Sequence, residues 1–331
     1  MQKVDFDNLF TSIREIKVGV VGDIMLDTYW WGHVDRISPE APVPVVALDK
    51  KENRLGGAAN VALNAKSLGS RVYMLSVVGD DEAGAEMLTL LKTHDISTDY
   101  LVKDKDRITT TKTRVISRNQ QMLRLDYEVT HDLSEALAEV FIRHFQSFIE
   151  REKPQVVILE DYNKGVMTSR VIESIIAICK SNHVLIAVDP KKHNFFAYQG
   201  VDIFKPNLKE VRDALNISID VVDKKHMQKV HQLLQEKLAH QISFITLSEK
   251  GVFYQDGEVA SLIPTHVRSI ADVSGAGDTV IATASVVYAL TRDPSLMAGI
   301  ANIAGGLVCE EVGTVSINRD RLLEECKMAF E

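Results

Sequence analysis

Hydrophobic residues along this chain alternate between short β-branched runs and longer segments in which they recur every three or four positions. The short runs predict strands at 17–21, 71–77, 155–159, 184–188, 203–205 and 243–246. The periodic segments predict helices at 58–68, 82–93, 133–150, 169–180, 224–239, 279–290 and 295–310. This alternation indicates an α/β fold with three layers, in which helices cover both faces of a mainly parallel sheet. Ligands in such folds bind at the carboxyl ends of the strands.

Two segments interrupt the alternation. Residues 29–49 contain Pro39, Pro42 and Pro44 among apolar positions, which favours a pair of exposed or edge strands over a central strand. Residues 109–127 alternate β-branched and charged positions and predict a hairpin. We expect these strands to form a small β-sheet lid inserted into a single domain that spans residues 1–331, with the lid over a strand-end site.

Composition narrows the classes of function. The 331 residues are 45% hydrophobic, enough for one large core, and the net charge of −8 argues against a nucleic-acid surface. Cys179, Cys309 and Cys326 lack the CxxC spacing of zinc sites, and their wide separation does not indicate a disulfide framework. No apolar run approaches the ~20 residues that span a bilayer, and no signal peptide is apparent. We therefore expect a cytoplasmic protein that binds neither nucleic acid nor membrane.

Residues 271–280, ADVSGAGDTV, carry the clearest chemical pattern. A glycine turn leads into an apolar helix, and the amides of Gly275, Ala276 and Gly277 would form its N-terminal edge, where the helix dipole favours anions. Asp278 could then accept a proton from a substrate hydroxyl while these amides stabilise a phosphoryl group in transfer. An ordinary helix cap has the same local pattern, so the other motifs must decide between a cap and a catalytic site.

Two further motifs could bind a polar substrate. Gly56 and Gly57 open a helix of small residues in which Asn60 offers a donor and an acceptor to a hydroxyl, although close packing of the helix would also explain the small residues. Asp27 follows the first strand in a turn next to the lid, where its carboxylate could accept hydrogen bonds from sugar hydroxyls. Asp23 is expected to cap local backbone amides.

Asn207 and Glu210 follow the strand at 203–205 and have two interpretations. Their spacing fits a capping box, and it would equally place a carboxylate where it could hold Mg²⁺ through water. Lys191, at another strand end, could contact a triphosphate.

Basic residues concentrate locally in this acidic chain. Arg114, Arg118 and Lys164 could hold a sugar phosphate, although arginines that alternate with apolar residues by default form the solvated face of a strand. The Walker A pattern is absent, and no GxGxxG follows the first strand, which disfavours a P-loop nucleotide site and a nicotinamide-binding Rossmann enzyme.

Together, GGAANVALNAKSLG and DVSGAGDTV resemble the two signatures of the ribokinase-like (PfkB) sugar kinases, and the resemblance covers nearly the whole chain. It implies a central α/β domain with a small β lid that often forms a dimer contact, and hence a homodimer. It also implies that Asp278 is the catalytic base and that Gly275, Ala276 and Gly277 form the anion hole. The sugar-binding residues that it implies are Asp27, Gly56, Gly57 and Asn60.

The resemblance extends to the nucleotide and to cations. Thr246, Ser248 and Gly251 match the nucleotide-binding strand and turn, although the family usually has Gly where Ser248 stands. Asn302 matches a position near the adenine. The implied cofactors are ATP with Mg²⁺, and a monovalent cation such as K⁺ with Asp272 and Ser274 as ligands.

Within the family, the segments GDIMLDTYWWGHVDRISPEAPVPVV, EDYNKGV and VDPKKHNFFAYQGVDIFKPNLKE are similar to those of heptose 7-phosphate kinases. The usual patterns there are SDYGKG and DPKG, so Glu160, Asn163 and Lys192 depart from them. This similarity implies phosphorylation of D-glycero-β-D-manno-heptose 7-phosphate at O1, for ADP-heptose and lipopolysaccharide core synthesis. The sequence lacks the HxGH motif of a nucleotidyltransferase, so a separate adenylyltransferase is expected downstream.

Two alternatives remain open from the sequence. One is a PfkB kinase of another sugar, sugar phosphate or nucleoside. The other is a catalytically silent regulator that binds a sugar or nucleotide on the same fold.

Overall fold

The computed structural model describes residues 4–118, 120–265 and 268–330. Its strands are β1 (Lys17–Gly22), β2 (Ile24–Ile37), β3 (Pro44–Gly57), β4 (Arg71–Leu75), β5 (Val77–Gly79), β6 (Val102–Asp104), β7 (Thr111–Ser117), β8 (Gln120–Tyr127), β9 (Val156–Glu160), β10 (Leu185–Asp189), β11 (Ile203–Phe204), β12 (Ile242–Thr246), β13 (Val252–Asp256) and β14 (Val259–Ile263). Its helices are α1 (Phe6–Ser12), α2 (Ala58–Leu68), α3 (Glu82–Thr93), α4 (Glu135–Glu152), α5 (Ser169–Ser181), α6 (Leu208–Leu215), α7 (Lys224–Leu238), α8 (Ala276–Thr291), α9 (Pro294–Val308) and α10 (Arg319–Ala329).

The main sheet has the strand order β14-β13-β12-β11-β10-β9-β1-β4. Pairing is parallel from β4 to β12 and antiparallel for β13 and β14. Side chains alternate between the two faces: Ile158 of β9 joins a core with α1, α2, α8, α9 and α10, and Leu159 joins a second core with α4, α5, α6 and α7. This arrangement confirms the predicted fold of three layers around a mainly parallel sheet.

Each predicted helix buries apolar residues, and α3, α4, α5, α7 and α9 have a side-chain cap at the amino end, whereas α2 and α8 begin after a glycine. In α5, Val171, Ile175 and Cys179 are buried on one face, and the Thr168 hydroxyl accepts a hydrogen bond from the first turn. Helices α2 and α3 have the predicted limits. Within the described ranges, no helix has the length and apolarity needed to cross a membrane.

Several elements escaped prediction from sequence. Helices α1 and α6 are short, α10 is mostly polar, and β13 and β14 form an antiparallel hairpin at the sheet edge where the alternation of strands and helices stops. Each of these elements offers too few periodic apolar positions to stand out.

The lid is a separate sheet with the order β3-β2-β7-β8. Its first two strands extend well beyond the predicted 29–49, because β2 starts at Ile24 and β3 ends at Gly57. The largely charged run at 49–54 hid the extension of β3, and the start of β2 was interpreted as the turn after the first strand. Asp27 therefore lies within a lid strand, and its predicted place in a turn was wrong.

Two buried histidines share one hydroxyl at the amino end of β12. His231 Nδ1 lies 2.9 Å from Ser243 Oγ, and His240 Nε2 lies 2.6 Å from the same atom. Burial lowers the pKa of both imidazoles, that of His240 to about 4. Both side chains are therefore neutral at physiological pH.

Acid should destabilise the fold through this pair. Because the pKa of His240 is lower in the folded state than the ordinary 6.5, the unfolded chain binds the extra proton, and stability is lost as the pH falls through ~6.5. We expect His240 to account for about 2 kcal/mol of lost unfolding free energy between pH 8 and pH 5. Urea unfolding of the wild type and of His240→Gln at both pH values measures this, and an equal pH dependence in the two proteins would contradict it.

Candidate active site

The turn before α8 requires glycine. Gly275 caps the helix with φ +79°, and a Cβ there would lie 2.8 Å from Asn60 Nδ2. Amides in the first turn of a helix have no partner within the helix, and here the Ala276 amide donates a 3.3 Å bond to the Val273 carbonyl. Gly277 lies on the same turn, where a Cβ would lie 3.6 Å from the Lys205 amine. An anion at this turn would therefore meet the amino end of a helix and Lys205, whose amine also pairs with the Asp189 carboxylate.

The carboxylate of Asp278 is held by two donors. Asn60 Nδ2 donates to Oδ2 and the Tyr162 hydroxyl donates to Oδ1, each at 2.8 Å. The residue is only 5% exposed, and burial raises the pKa of Asp278 to about 6, although both hydrogen bonds act in the opposite direction. A carboxylate with a pKa just below neutrality is suited to general-base catalysis.

A polar network fixes Asn60. The Asn64 amide donates to the Asn60 carbonyl at 2.9 Å and to its side-chain oxygen at 3.3 Å. Asn64 in turn accepts from the Thr279 hydroxyl at 2.9 Å and from the Ile317 amide at 3.0 Å. Packing of small residues does not explain these bonds, whose geometry orients Asn60 toward Asp278.

Two more carboxyl groups lie beside the base. Glu160 and Asp189 end adjacent parallel strands, and one oxygen from each lies within 4.8 Å of an oxygen of Asp278. Lys205 Nζ is 2.7 Å from Asp189, and Lys191 Nζ is 3.6 Å from the other oxygen of Asp189. The lysines offset the negative charge, so the group forms a buried ion-pair network.

Glu160 is fully buried, and neither of its carboxyl oxygens has a hydrogen-bond partner among the described residues. Burial, and then the charges of Asp189 and Asp278, raise the pKa of Glu160 well above its usual range. Sequence reasoning missed Asp189, Lys205 and Tyr162 as site residues. Their positions at or just after the ends of strands β9, β10 and β11 were the available signal.

Asn207 and Glu210 form the capping box that the sequence allowed. Asn207 Oδ1 accepts from the Glu210 amide at 2.9 Å, and Glu210 Oε2 accepts from the Asn207 amide at 2.8 Å. The other Glu210 oxygen is 3.2 Å from Lys191 Nζ. Burial lowers the pKa of Lys191, but the facing carboxylates of Asp189, Glu160 and Glu210 outweigh burial and raise it, so the lysine stays charged.

Asp27 and Arg114 form an ion pair on the lid. Arg114 Nη1 of β7 is 2.7 Å from Asp27 Oδ1 of β2, and Asp27 is 4% exposed. A Cβ on Gly56 would lie 2.5 Å from Asp27 Oδ2, so this position requires glycine. Gly57 has φ +60°, and a Cβ there would lie 2.6 Å from the Asp23 carbonyl oxygen.

The other predicted phosphate-binding cations are placed differently. Lys164 Nζ bonds the Glu128 carboxylate at 2.7 Å. Arg118 follows the last residue of β7, its side chain is 77% exposed, and it lies 3.8 Å from Asp35. Along an extended strand it is ~13 Å from Arg114. The structure therefore brings Arg114, and not Arg118, to Asp27.

Asp23 has a structural role, but it binds amides that are distant in sequence and not the local ones that were expected. Its carboxylate accepts backbone hydrogen bonds from Tyr162 at 2.9 Å, Lys164 at 3.0 Å and Val166 at 3.0 Å. These bonds fix the loop that follows β9, so the expected local capping was wrong.

The predicted nucleotide-binding turn follows β12, which ends at Thr246. Ser248 has φ +57°, a left-handed conformation that favours glycine, and this fits the usual glycine at the position in the resembling family. Gly251 has φ +90°, and a Cβ there would lie 2.0 Å from the Ile263 carbonyl oxygen. Only glycine fits that close approach.

The remaining predicted residues make local contacts. Asn302 Nδ2 donates to the Pro264 carbonyl at 2.9 Å. Asp272 Oδ1 accepts from the amide and hydroxyl of Ser274 at 2.9 and 2.8 Å, and Oδ2 accepts from the Gly313 amide at 2.9 Å. Burial raises the pKa of Asp272, but these bonds outweigh burial and lower it, so the carboxylate stays ionised as a cation ligand must.

The chain matches the pfkB family of carbohydrate kinases over residues 15–321. Among curated relatives, the Bifunctional protein HldE of Aliarcobacter butzleri is 40% identical over 92% of this chain and 63% of its own length. The Bifunctional protein HldE of Sulfurimonas denitrificans is 37% identical over 93% of this chain and 64% of its own length. The chain thus spans less than two thirds of the length of these relatives.

Solved structures show the same fold. Phosphofructokinase-2 from Escherichia coli in complex with substrates and products has a TM-score of 0.77 at 16% identity, covering 95% of this chain and 99% of that one. Ribokinase from Arabidopsis thaliana, complexed with ribose and ATP, has a TM-score of 0.71 at 17% identity, covering 93% of this chain and 99% of that one. At these identities, the likeness concerns the fold alone.

Proposed function

Because the chain belongs to the pfkB family of carbohydrate kinases, we propose that it phosphorylates D-glycero-β-D-manno-heptose 7-phosphate at O1, with ATP as the donor. The segments that resemble heptose 7-phosphate kinases support this substrate, as does the similarity to proteins named Bifunctional protein HldE. The 1,7-bisphosphate would serve ADP-heptose and lipopolysaccharide core synthesis in the cytoplasm, with an adenylyltransferase acting downstream.

The observation that carries the proposal is the buried carboxylate of Asp278, held by Asn60 and Tyr162 at the amino end of α8. In the proposed reaction, the O1 proton passes to Asp278 as O1 bonds to the γ-phosphorus and the bond to ADP breaks. The transition state is loose, so positioning and charge neutralisation dominate catalysis. The α8 turn, with Lys205 beside it, would offset charge on the transferred group.

The lid would bind the sugar. Asp27 can accept hydrogen bonds from sugar hydroxyls, and the Asn60 amide contacts the base directly. We assign the 7-phosphate to Arg114, which pairs with Asp27 on the lid, and to Lys164 in the loop after β9. Each now pairs with a carboxylate that a bound phosphate would replace or share.

The nucleotide would lie along the opposite side of α8, with Thr246, Ser248, Gly251 and Asn302 around its base and ribose. Kinases of this family use ATP with a divalent metal, and we assign Mg²⁺ to the Glu210 end of α6. Both Glu210 oxygens already accept hydrogen bonds, which fits an ion held through water. Asp272, whose carboxylate stays ionised, and Ser274 would be the ligands of the proposed K⁺.

We also propose a homodimer through the lid. The lid and its connecting turn expose several large apolar side chains: Ile37, Val43, Leu48, Met122, Leu123, Leu125 and Tyr127. Strands β3 and β8 are the edges of this sheet, and exposed apolar edge strands tend to pair with another chain. A second copy of the chain that presents the same surface would cover both the exposed apolar side chains and the edge strands.

The double variant Leu123→Glu/Leu125→Glu should therefore be monomeric, because four buried charges at a two-fold contact are costly. Light scattering should give 36.9 kDa for the variant and twice that mass for the wild type. Val259→Glu, at an exposed position of the main sheet, should remain dimeric. A monomeric wild type would contradict the proposal.

A substrate panel tests the proposed function. Heptose 7-phosphate, ribose, fructose and adenosine are compared in one coupled assay for ADP release. We expect kcat/KM for heptose 7-phosphate to exceed the others by ~10² or more, because a site built for a charged group rejects substrates without it. Comparable or greater activity on ribose, fructose or adenosine would assign the chain to another kinase of the family, and no turnover would favour a silent regulator.

A further inference from the structure

Tyr162 is anchored at both ends. Its backbone amide donates to Asp23 at 2.9 Å, and its hydroxyl donates to Asp278 at 2.8 Å. Burial, and then the charges of the neighbouring carboxylates, raise the pKa of Tyr162 well above its usual range. The phenol therefore stays protonated and can only donate to the ionised base.

The two donors to Asp278 come from different parts of the fold. Asn60 lies on α2 and binds Oδ2, whereas Tyr162 lies in the loop after β9 and binds Oδ1. The terminal torsion of an aspartate is intrinsically broad, so one donor alone would leave the carboxylate free to turn. Donors on both oxygens fix its plane and leave lone pairs for the substrate proton.

We propose that Tyr162 is a positioning residue for the proposed kinase reaction: its hydroxyl holds Asp278 in the orientation that accepts the proton of the attacking hydroxyl. This inference rests on the proposed function, since it assumes that Asp278 is the base. The Lys191 amine lies 5.2 Å from the centre of the Tyr162 ring and packs the phenol against the site.

Other charged groups also face Asp278. Glu160 and Asp189 lie on the adjacent strand ends, and Lys191 and Lys205 offset their charge. These groups remain when the phenol oxygen alone is removed. A change in the titration of Asp278 on that removal therefore reports the lost hydrogen bond.

The test compares Tyr162→Phe with a matched control, Tyr198→Phe. Tyr198 is also buried and donates a 2.8 Å bond to a buried carboxylate, that of Asp161. Each change removes one oxygen and no carbon, so both variants should fold. We expect Tyr162→Phe to lower the plateau kcat roughly tenfold and to move the acid limb of the kcat–pH profile up by about one unit, with both KM values within about twofold of wild type. Tyr198→Phe should change thermal stability but neither kinetic feature.

A second readout needs no sugar. The carboxyl carbons of ¹³C-labelled aspartates are titrated by NMR in ligand-free protein, and the Asp278 signal is the one missing in Asp278→Asn. We expect its midpoint, about 6 in the wild type, to rise by about one unit in Tyr162→Phe only. An unchanged midpoint, or equal shifts in the two variants, would overturn the inference. If no sugar of the panel is phosphorylated, the proposed function fails, while this titration still decides the role of Tyr162 toward Asp278.

Discussion

Replacing Asp278 with Asn should lower kcat by ~10² or more and leave the affinity for ATP largely intact. The amide has the shape of the carboxylate, and the Tyr162 hydroxyl can accept from it as readily as it now donates. The fold is therefore expected to persist. The lost function is proton acceptance, which an amide cannot perform, so the effect should fall on kcat.

Steady-state kinetics with the preferred sugar and calorimetric titration with ATP measure the two quantities. Asp161→Asn is a matched control, because Asp161 is a buried aspartate that bonds Tyr198 and Asn194 rather than the reacting groups. Its kcat should stay within about threefold of wild type. Near-normal turnover in Asp278→Asn would remove Asp278 from the mechanism.

Removing the guanidinium of Arg114 should raise KM for the sugar phosphate roughly tenfold or more and leave KM for ATP within about twofold. Arg114→Ala deprives Asp27 of a 2.7 Å ion pair in a site where Asp27 is 4% exposed. It also removes a cation from the proposed site of the 7-phosphate. Both losses affect the sugar and neither touches the nucleotide side.

The structure separates Arg114 from Arg118, which sequence reasoning had treated alike. Arg118→Ala should change KM for the sugar phosphate less than about threefold, because this side chain is 77% exposed and lies beside Asp35 at the far end of the strand. The same kinetic measurements test both variants. Equal increases in KM for sugar and ATP in Arg114→Ala would remove that residue from the sugar site.

Local patterns predicted the features that depend on neighbours in sequence. The glycine turn at Gly275 depends on a few consecutive residues, as does the capping box of Asn207 and Glu210, which was one of two interpretations of the sequence. The helix after the turn begins at Ala276, three residues before the predicted start at 279. The polar Asn60 in a helix of small residues also stood out, and it contacts the base.

The buried charge network could not be found in this way. Glu160, Asp189 and Lys205 come from three different strands and meet only because those strands are adjacent and parallel. Sequence presents Glu160 only as a departure from a family pattern. The lid strands were also beyond prediction from neighbouring residues, because Asp27 belongs to a strand whose pairing partner is more than twenty residues away.

The position of the new phosphate on the product tests the central claim most directly. ³¹P NMR of heptose 7-phosphate incubated with ATP and the protein should show a second sugar phosphate, coupled to the anomeric proton, with the 7-phosphate signal retained. In the Asp278→Asn variant, this signal should grow at least ~10² more slowly. A phosphate on any other oxygen, or ADP formation with no new sugar phosphate, would contradict the account.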